Sequence, residues 1–269
     1  MTLAVITIAS GRHEHLDRQL DGLAAGEQRP DLHVVVAMAD PGIAAVVSRR
    51  ACVVPCAGDP ALLPLATARN LGARHALAAG ADALVFLDVD CIPAPGAIAD
   101  YARALERHPG ALLTGEVGYL PPLPDGGYPL DALASLATPH PARPIPDGAD
   151  TVPLDHRMFW SLSFALDRAT WAAIGGFHEG YLGYGGEDTD FGQLARQRSV
   201  ALLAIAGARV YHQWHPSPSP PLHHLDDIVP NARVFHARWG WWPMRGWLDA
   251  FAERGLVRYD EVTDDWIVC

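Results

Sequence analysis

Asp88 and Asp90 stand on either side of Val89, directly behind the apolar run Ala83–Leu87. Two carboxylates one residue apart at a strand end suit a hard divalent cation, which takes carboxylate oxygens and leaves other positions to phosphates. Such a pair can divide the work, one acid toward a ribose or sugar and the other onto metal. A second constellation is Gly183-Tyr184-Gly185-Gly186-Glu187-Asp188-Thr189-Asp190. Its glycines permit close approach and unusual dihedrals. Its acids fall where a helix begins; one would satisfy a cap, and three exceed what capping requires. His212 closes the apolar segment 201–211 and is a candidate metal ligand, with His215, His223 and His224 close behind. Arg69, in Arg69-Asn70-Leu71-Gly72, offers a planar fork that fits a phosphate. The plainer readings are a solvated turn, a helix cap, a structural histidine and an exposed helix arginine. The buried-strand context of the first motif and the surplus acids of the second favour chemistry.

The elements that must hold these residues follow from periodicity. Leu3–Ala9 reads as a first strand closed by Ser10-Gly11, followed by a helix with Leu16, Leu20 and Leu23 on one face. Residues 33–38 form a second strand before the turn Asp40-Pro41-Gly42, and 51–54 a short third. Residues 65–79 are helical with Gly80 as cap, Ala83–Leu87 is a strand suited to burial on both faces, and 96–107 is a helix. Alternating strands and helices predict an α/β fold with a mostly parallel central sheet. Ligands of such sheets sit beyond the carboxyl ends of the strands, and Ser10, Arg12, Asp40, Asp88 and Asp90 all lie at such ends. Residues 120–153 are rich in Pro, Gly and Asp and read as a long loop or lid. Strand-like sequence resumes at 158–165, 191–198 is helical, and 214–221 is too proline-rich for regular structure.

Composition narrows the field. The 31 acidic against 20 basic residues give a formal net charge of -11, which repels phosphate backbones and argues against nucleic-acid binding. No apolar run approaches the roughly 18 residues of a transmembrane helix, and the opening segment is too short and uncharged for a signal peptide. Cys52, Cys56, Cys91 and Cys269 form no paired metal-ligand clusters, so reduced thiols and a cytoplasmic setting are expected. A single domain over 1–269 is expected, in two halves at 1–119 and 120–269. The tryptophan-rich, irregular closing third would line an acceptor site or a homo-oligomer surface.

Taken in order, Asp88-Val89-Asp90, Gly185-Gly186-Glu187-Asp188 and His212 resemble the motifs of GT-A fold glycosyltransferases, nearest to the β-1,4-galactosyltransferase type. Thr7-x-x-Ser10-x-Arg12 and Ala68-Arg69-Asn70-x-Gly72 resemble the broader family-2 glycosyltransferases. The resemblance spans roughly residues 3–215 and implies a Rossmann-like sheet, a nucleotide-diphosphate sugar donor, a saccharide or glycoside acceptor, and Mn²⁺ or Mg²⁺. It implies that Thr7, Ala9, Ser10 and Arg12 hold the nucleotide and that Asp40 approaches the base. Arg69, Asp88, Val89, Gly185 and Gly186 would join them around the donor. Asp90 would be the direct metal ligand with Asp88 beside it and His212 as a further ligand. Glu187 would face the acceptor and Asp188 would be the catalytic base, which implies inversion. The chain departs from the galactosyltransferase pattern at Tyr184 (there Trp), Thr189 (there an acid) and Arg209 (there a Met ligand). Two rivals share parts of this reading. A sugar-phosphate nucleotidyltransferase would need a glycine-rich phosphate loop after the first strand. A non-catalytic carbohydrate-binding module would use the tryptophans for stacking.

Overall fold

The computed structural model describes every residue except 126, 141–144, 146–147 and 217. Its main sheet has eight strands. These are β1 (Leu3–Ala9), β2 (Leu32–Met38), β3 (Cys52–Cys56), β4 (Ala83–Leu87), β6 (Leu112–Thr114), β9 (Thr151–Pro153), β10 (Ser163–Asp167) and β11 (Leu202–Ile205). Their order is β3-β2-β1-β4-β10-β6-β11-β9. The first four run parallel, as expected. β10 enters antiparallel between β4 and β6, and β9 closes the edge antiparallel, so the sheet is mixed. A smaller sheet joins β5 (Cys91–Pro93), β12 (Val210–His212), β7 (Val117–Tyr119) and β8 (Thr138–Pro139).

The apolar runs are buried on both faces, and strand alternation sorts their side chains into two layers. Even-numbered residues such as Ile6, Val36, Phe86 and Phe164 pack with α3 (Leu65–Ala78), α6 (Arg168–Ile174) and α7 (Glu187–Gln197). Odd-numbered residues face the other layer. There Val35 and Ala37 meet α1 (His13–Ala25) and α2 (Ile43–Val47), while Val85 and Leu87 meet α4 (Ala97–Arg107). Gly72 explains its place in the Arg69 motif: a Cβ there would lie 2.5 Å from Ile6 Cγ2. The helix rests directly on β1, and Arg69, one turn earlier, shares that inward face.

Two regions differ from expectation. Residues 201–211 read as one segment, but Ala206-Gly207-Ala208 break it into β11 and β12, which belong to different sheets. The closing third is regular rather than irregular. It forms α8 (Leu225–Trp239), α9 (Arg245–Glu253) and a hairpin of β13 (Val257–Asp260) with β14 (Asp265–Val268) around its own core of Ile228, Leu248, Phe251 and Trp266. The expected lid at 120–153 includes α5 (Leu133–Leu136), β8 and β9, and lies partly outside the described residues. Among the described residues no helix is long and apolar enough to cross a membrane.

Candidate active site

A cavity of about 930 Å³ opens where β1 and β4 end and α7 begins. Asp90 sits in the turn between β4 and β5. The antiparallel register of β5 with β12 sets His212 opposite Cys91, so the histidine arrives beside Asp90. His212 Nε2 lies 3.7 Å from Asp90 Oδ1, and His215 Nε2 lies 3.5 Å from Asp90 Oδ2. One ligand atom from each of the three falls within 4.8 Å of the others, so Asp90, His212 and His215 could hold a metal ion. Arg12 Nη1 also donates to Asp90 Oδ2, at 2.5 Å.

The electrostatics suit that use. Burial alone would raise the Asp90 pKa, but the bond to His215 and the neighbouring His212 and Arg12 hold it below the ordinary carboxylate range. Burial lowers the pKa of His212 despite the nearby Asp90. An ionised carboxylate beside a neutral imidazole is the protonation state that metal binding demands. Two nitrogens and one oxygen also leave open coordination positions for substrate oxygens.

Asp88 behaves differently. It stays outside this cluster, and Arg69 Nη2 donates to it at 3.1 Å. The other arm of Arg69 donates to Glu187 at 3.0 Å. Arg69 is only 4% exposed, so it is neither a surface arginine nor an open phosphate fork. It ties the β4 end to the α7 start. Burial raises Asp88 to about 6, with Arg69 opposing.

On the same cavity wall Gly185 and Gly186 adopt φ of 98° and 95°, and Gly186 is the N-cap of α7. This left-handed pair turns the chain so that Glu187 and Asp188 open the helix toward the strand ends. Asp188 accepts from the Thr189 amide and is raised to about 7, first by burial and then by Glu187. Asp190 is fully buried. It accepts from Arg238 (2.7 Å), Trp239 Nε1 (2.6 Å) and the Tyr181 hydroxyl (3.1 Å), which docks α8 against the start of α7. Asn231 bonds the carbonyls of Leu182 and Tyr184, and Asp227 accepts from the Tyr184 amide. Tyr184 itself is 40% exposed and stacks on His224 at 4.5 Å, with Trp247 beside it.

Most expected site residues line this one cavity: Ser10, Arg12, Arg69, Asp88, Val89, Asp90, Gly185, Gly186, Glu187, Asp188 and His212. Three do not. Thr7 and Ala9 are buried against α1, because a strand alternates its faces and Ile8 and Ser10 take the cavity side. Asp40 binds the Gly11 amide and His13 Nε2, each at 2.8 Å, and so closes the β1–α1 turn. Sequence reasoning gave little weight to His215; its spacing three residues past His212, after a strand, was the available signal. Of the tryptophans in the closing third, Trp247 on α9 and Trp214 do not act alike: Trp247 lines this cavity beside Tyr184 and His224, which come from distant segments, and Trp214 does not.

Residues 150–215 match the family model described as the N-terminal domain of galactosyltransferase. That span holds Glu187, Asp188, His212 and His215. No curated protein matches the chain in sequence. Among solved structures the chain is similar to GalNAc-T7 crystallised with UDP, GalNAc and Mn²⁺ (TM-score 0.60, 17% identity), covering 88% of this chain and 50% of that one. It is also similar to residues 1–349 of S. aureus TarS (TM-score 0.58, 15% identity), covering 88% of this chain and 65% of that one. The same TarS fragment in complex with UDP aligns with a TM-score of 0.57 at 13% identity, over 87% and 65% of the two chains. The chain thus spans half to about two thirds of these proteins, and its fold is that of the GT-A glycosyltransferases.

Proposed function

We propose that this chain is a glycosyltransferase that moves a hexosyl group from a nucleotide-diphosphate sugar to a hydroxyl of a saccharide or glycoside, with inversion and with help from a divalent cation. The observation that carries this reading is one cavity whose wall holds both a metal-competent Asp90–His212–His215 corner and Asp188. A uridine diphosphate donor such as UDP-galactose is favoured over GDP-mannose by the UDP found in both structural neighbours. Mn²⁺ is favoured over Mg²⁺ because two of the three donors are imidazole nitrogens, whereas Mg²⁺ prefers an all-oxygen octahedron.

The cavity wall carries Asp88, Asp90, Glu187, Asp188, Asp226 and Asp227 against Arg12 and Arg69. A diphosphate entering so acidic a space needs added positive charge. The cation, when bound, would neutralise the diphosphate and stabilise it as a leaving group. Asp90, His212 and His215 would hold it. Arg69 fixes Glu187 for the acceptor and keeps Asp88 at the donor side. As the acceptor oxygen bonds to the anomeric carbon, the carbon–diphosphate bond breaks and Asp188 takes the hydroxyl proton. A base whose pKa lies near neutrality is well matched to that transfer. A nucleotidyltransferase reading is disfavoured by the β1–α1 turn, where the Gly11 amide is committed to Asp40 rather than open to phosphate.

Thermal shift with UDP- and GDP-sugars, with and without Mn²⁺, tests the donor. A UDP-sugar that raises Tm only with Mn²⁺ is expected, since a ligand of the folded state stabilises by mass action. Donor binding without any transfer or hydrolysis would favour the carbohydrate-binding module instead.

A further inference from the structure

The ligand atoms of the Asp90–His212–His215 corner come from two segments far apart in sequence, and the β5–β12 ladder that joins them is only three residue pairs long. Something else must hold the corner in shape. Helix α1 lies behind it, and His15, Arg18, Gln19 and Gly22 form one stripe at spacings of three, four and seven. Gly22 makes the approach possible, since a Cβ there would sit 2.6 Å from Ile92 Cγ2 on β5.

Gln19 is fully buried. Its Nε2 donates to the carbonyls of Asp88 (2.7 Å) and Cys91 (2.9 Å), the two residues that bracket the turn around Asp90. Its Oε1 accepts from the Thr7 hydroxyl at 2.8 Å. The amide orientation is dictated by its partners, because two carbonyls can only accept. Gln213, equally buried, lies between His212 and His215. Its backbone amide donates to the Asp90 carbonyl at 2.7 Å. Its side chain donates to the His15 carbonyl at 3.0 Å and accepts from Arg18 Nη1 at 3.1 Å. The carbonyls of residues 88, 90 and 91 are therefore all held by these two glutamines, and both glutamines are anchored in α1.

We propose that Gln19 and Gln213 are positioning residues that lock the Asp90 turn and the His212–His215 segment onto α1 and so set the geometry of the cation site. Neutral amides are well suited to this, because they satisfy buried carbonyls without adding charge next to a cation. An apolar side chain at 19 would take the side-chain donor from the Asp88 and Cys91 carbonyls, and one at 213 would take it from the His15 carbonyl, which lets the turn relax. The inference rests on the metal reading of the corner, and the test separates the two.

Mn²⁺ affinity is measured on the full chain without nucleotide, from the free-ion electron paramagnetic resonance signal. Gln19→Met and Gln213→Met are expected to weaken Mn²⁺ binding by about 10–100-fold, the usual effect of removing a partner that orients a metal ligand. Thr7→Val, which frees the Oε1 end of Gln19 and a 3.2 Å contact to His33 while leaving both Nε2 bonds of Gln19 in place, should weaken it less. Tyr101→Phe is the control. It removes a buried 2.7 Å bond to Ser163 elsewhere in the core, and it should lower Tm while leaving Mn²⁺ affinity unchanged. If Gln19→Met does not fold, Gln213→Met and Thr7→Val carry the test. Native affinity in the folded glutamine and threonine variants would overturn the brace alone. A native chain that binds no Mn²⁺ would overturn the cation site and the brace together.

Discussion

Asp90 and Asp188 are carboxylates on the wall of one cavity, the first buried and the second half-buried, yet their surroundings push them in opposite directions. Asp90 has Arg12 and two histidines around its oxygens and is held ionised. Asp188 has Glu187 as its neighbour, while the cation that could relieve it, Arg69, spends both arms on Asp88 and Glu187. The supports differ as well. The Asp90 corner is held by the neutral amides of Gln19 on α1 and of Gln213, which bonds back to α1, whereas the Asp188 loop is held by α8 through Asp190, Asn231 and Asp227. Carboxylates whose environments separate their pKa values take separate roles: one suits a permanent ligand, the other a proton acceptor.

The sharpest way to break this contrast is Asp188→Asn. Turnover should fall by ~10²–10⁴-fold while donor and Mn²⁺ binding persist. Stability should move the other way. Because the pKa is raised in the fold, between the ordinary carboxylate value and about 7 the folded chain keeps a proton that the unfolded chain has shed. This group's contribution to stability therefore declines as pH rises through that window. Asparagine removes the repulsion, so Tm above pH 7 should hold or increase. Near-native turnover would leave Asp188 with only its bond to the Thr189 amide in the first turn of α7.

At the other corner, His212→Ala should raise the Mn²⁺ concentration for half-maximal activity by more than about 10-fold. A lower Tm with an unchanged Mn²⁺ requirement would make the histidine structural. The pH profile sharpens the comparison next. With donor and Mn²⁺ saturating, turnover should rise about tenfold per pH unit on the acid side and level off at or below about 7 as Asp188 ionises. A flat profile from pH 5 to 8 would remove Asp188 from the proton transfer. The smallest effect is expected at the aromatic wall. Tyr184→Ala should raise the acceptor KM about 2–10-fold, the worth of one aromatic stack, with donor affinity unchanged. A donor-only defect would move Tyr184 to the other end of the cavity.

Much of this arrangement was legible in the chain itself. Apolar runs bounded by turn residues marked β1, β2 and β4, because strands covered on both faces need uninterrupted apolar side chains. The chemistry-bearing motifs were legible for the same local reason: Asp88-Val89-Asp90 follows a strand, and Gly185-Gly186-Glu187-Asp188 opens a helix. What misled was parity at a strand end. Thr7 and Ala9 lie one residue off the cavity side, and a shift of one reverses every side chain.

Local sequence thus determined the strands, the helix starts and the residue types able to do chemistry, since those depend on neighbours a few positions away. The tertiary structure decided which of them act together. It brought His215 beside Asp90 and His212, left Asp88 to Arg69, and buried Arg69 as a link between the β4 end and the α7 start. It also brought α8 across to hold the Asp188 loop. Those outcomes rest on contacts between residues from 19 to more than a hundred positions apart. Sheet order, strand register and the packing of α1 and α8 set such distances, and no periodicity along the chain encodes them.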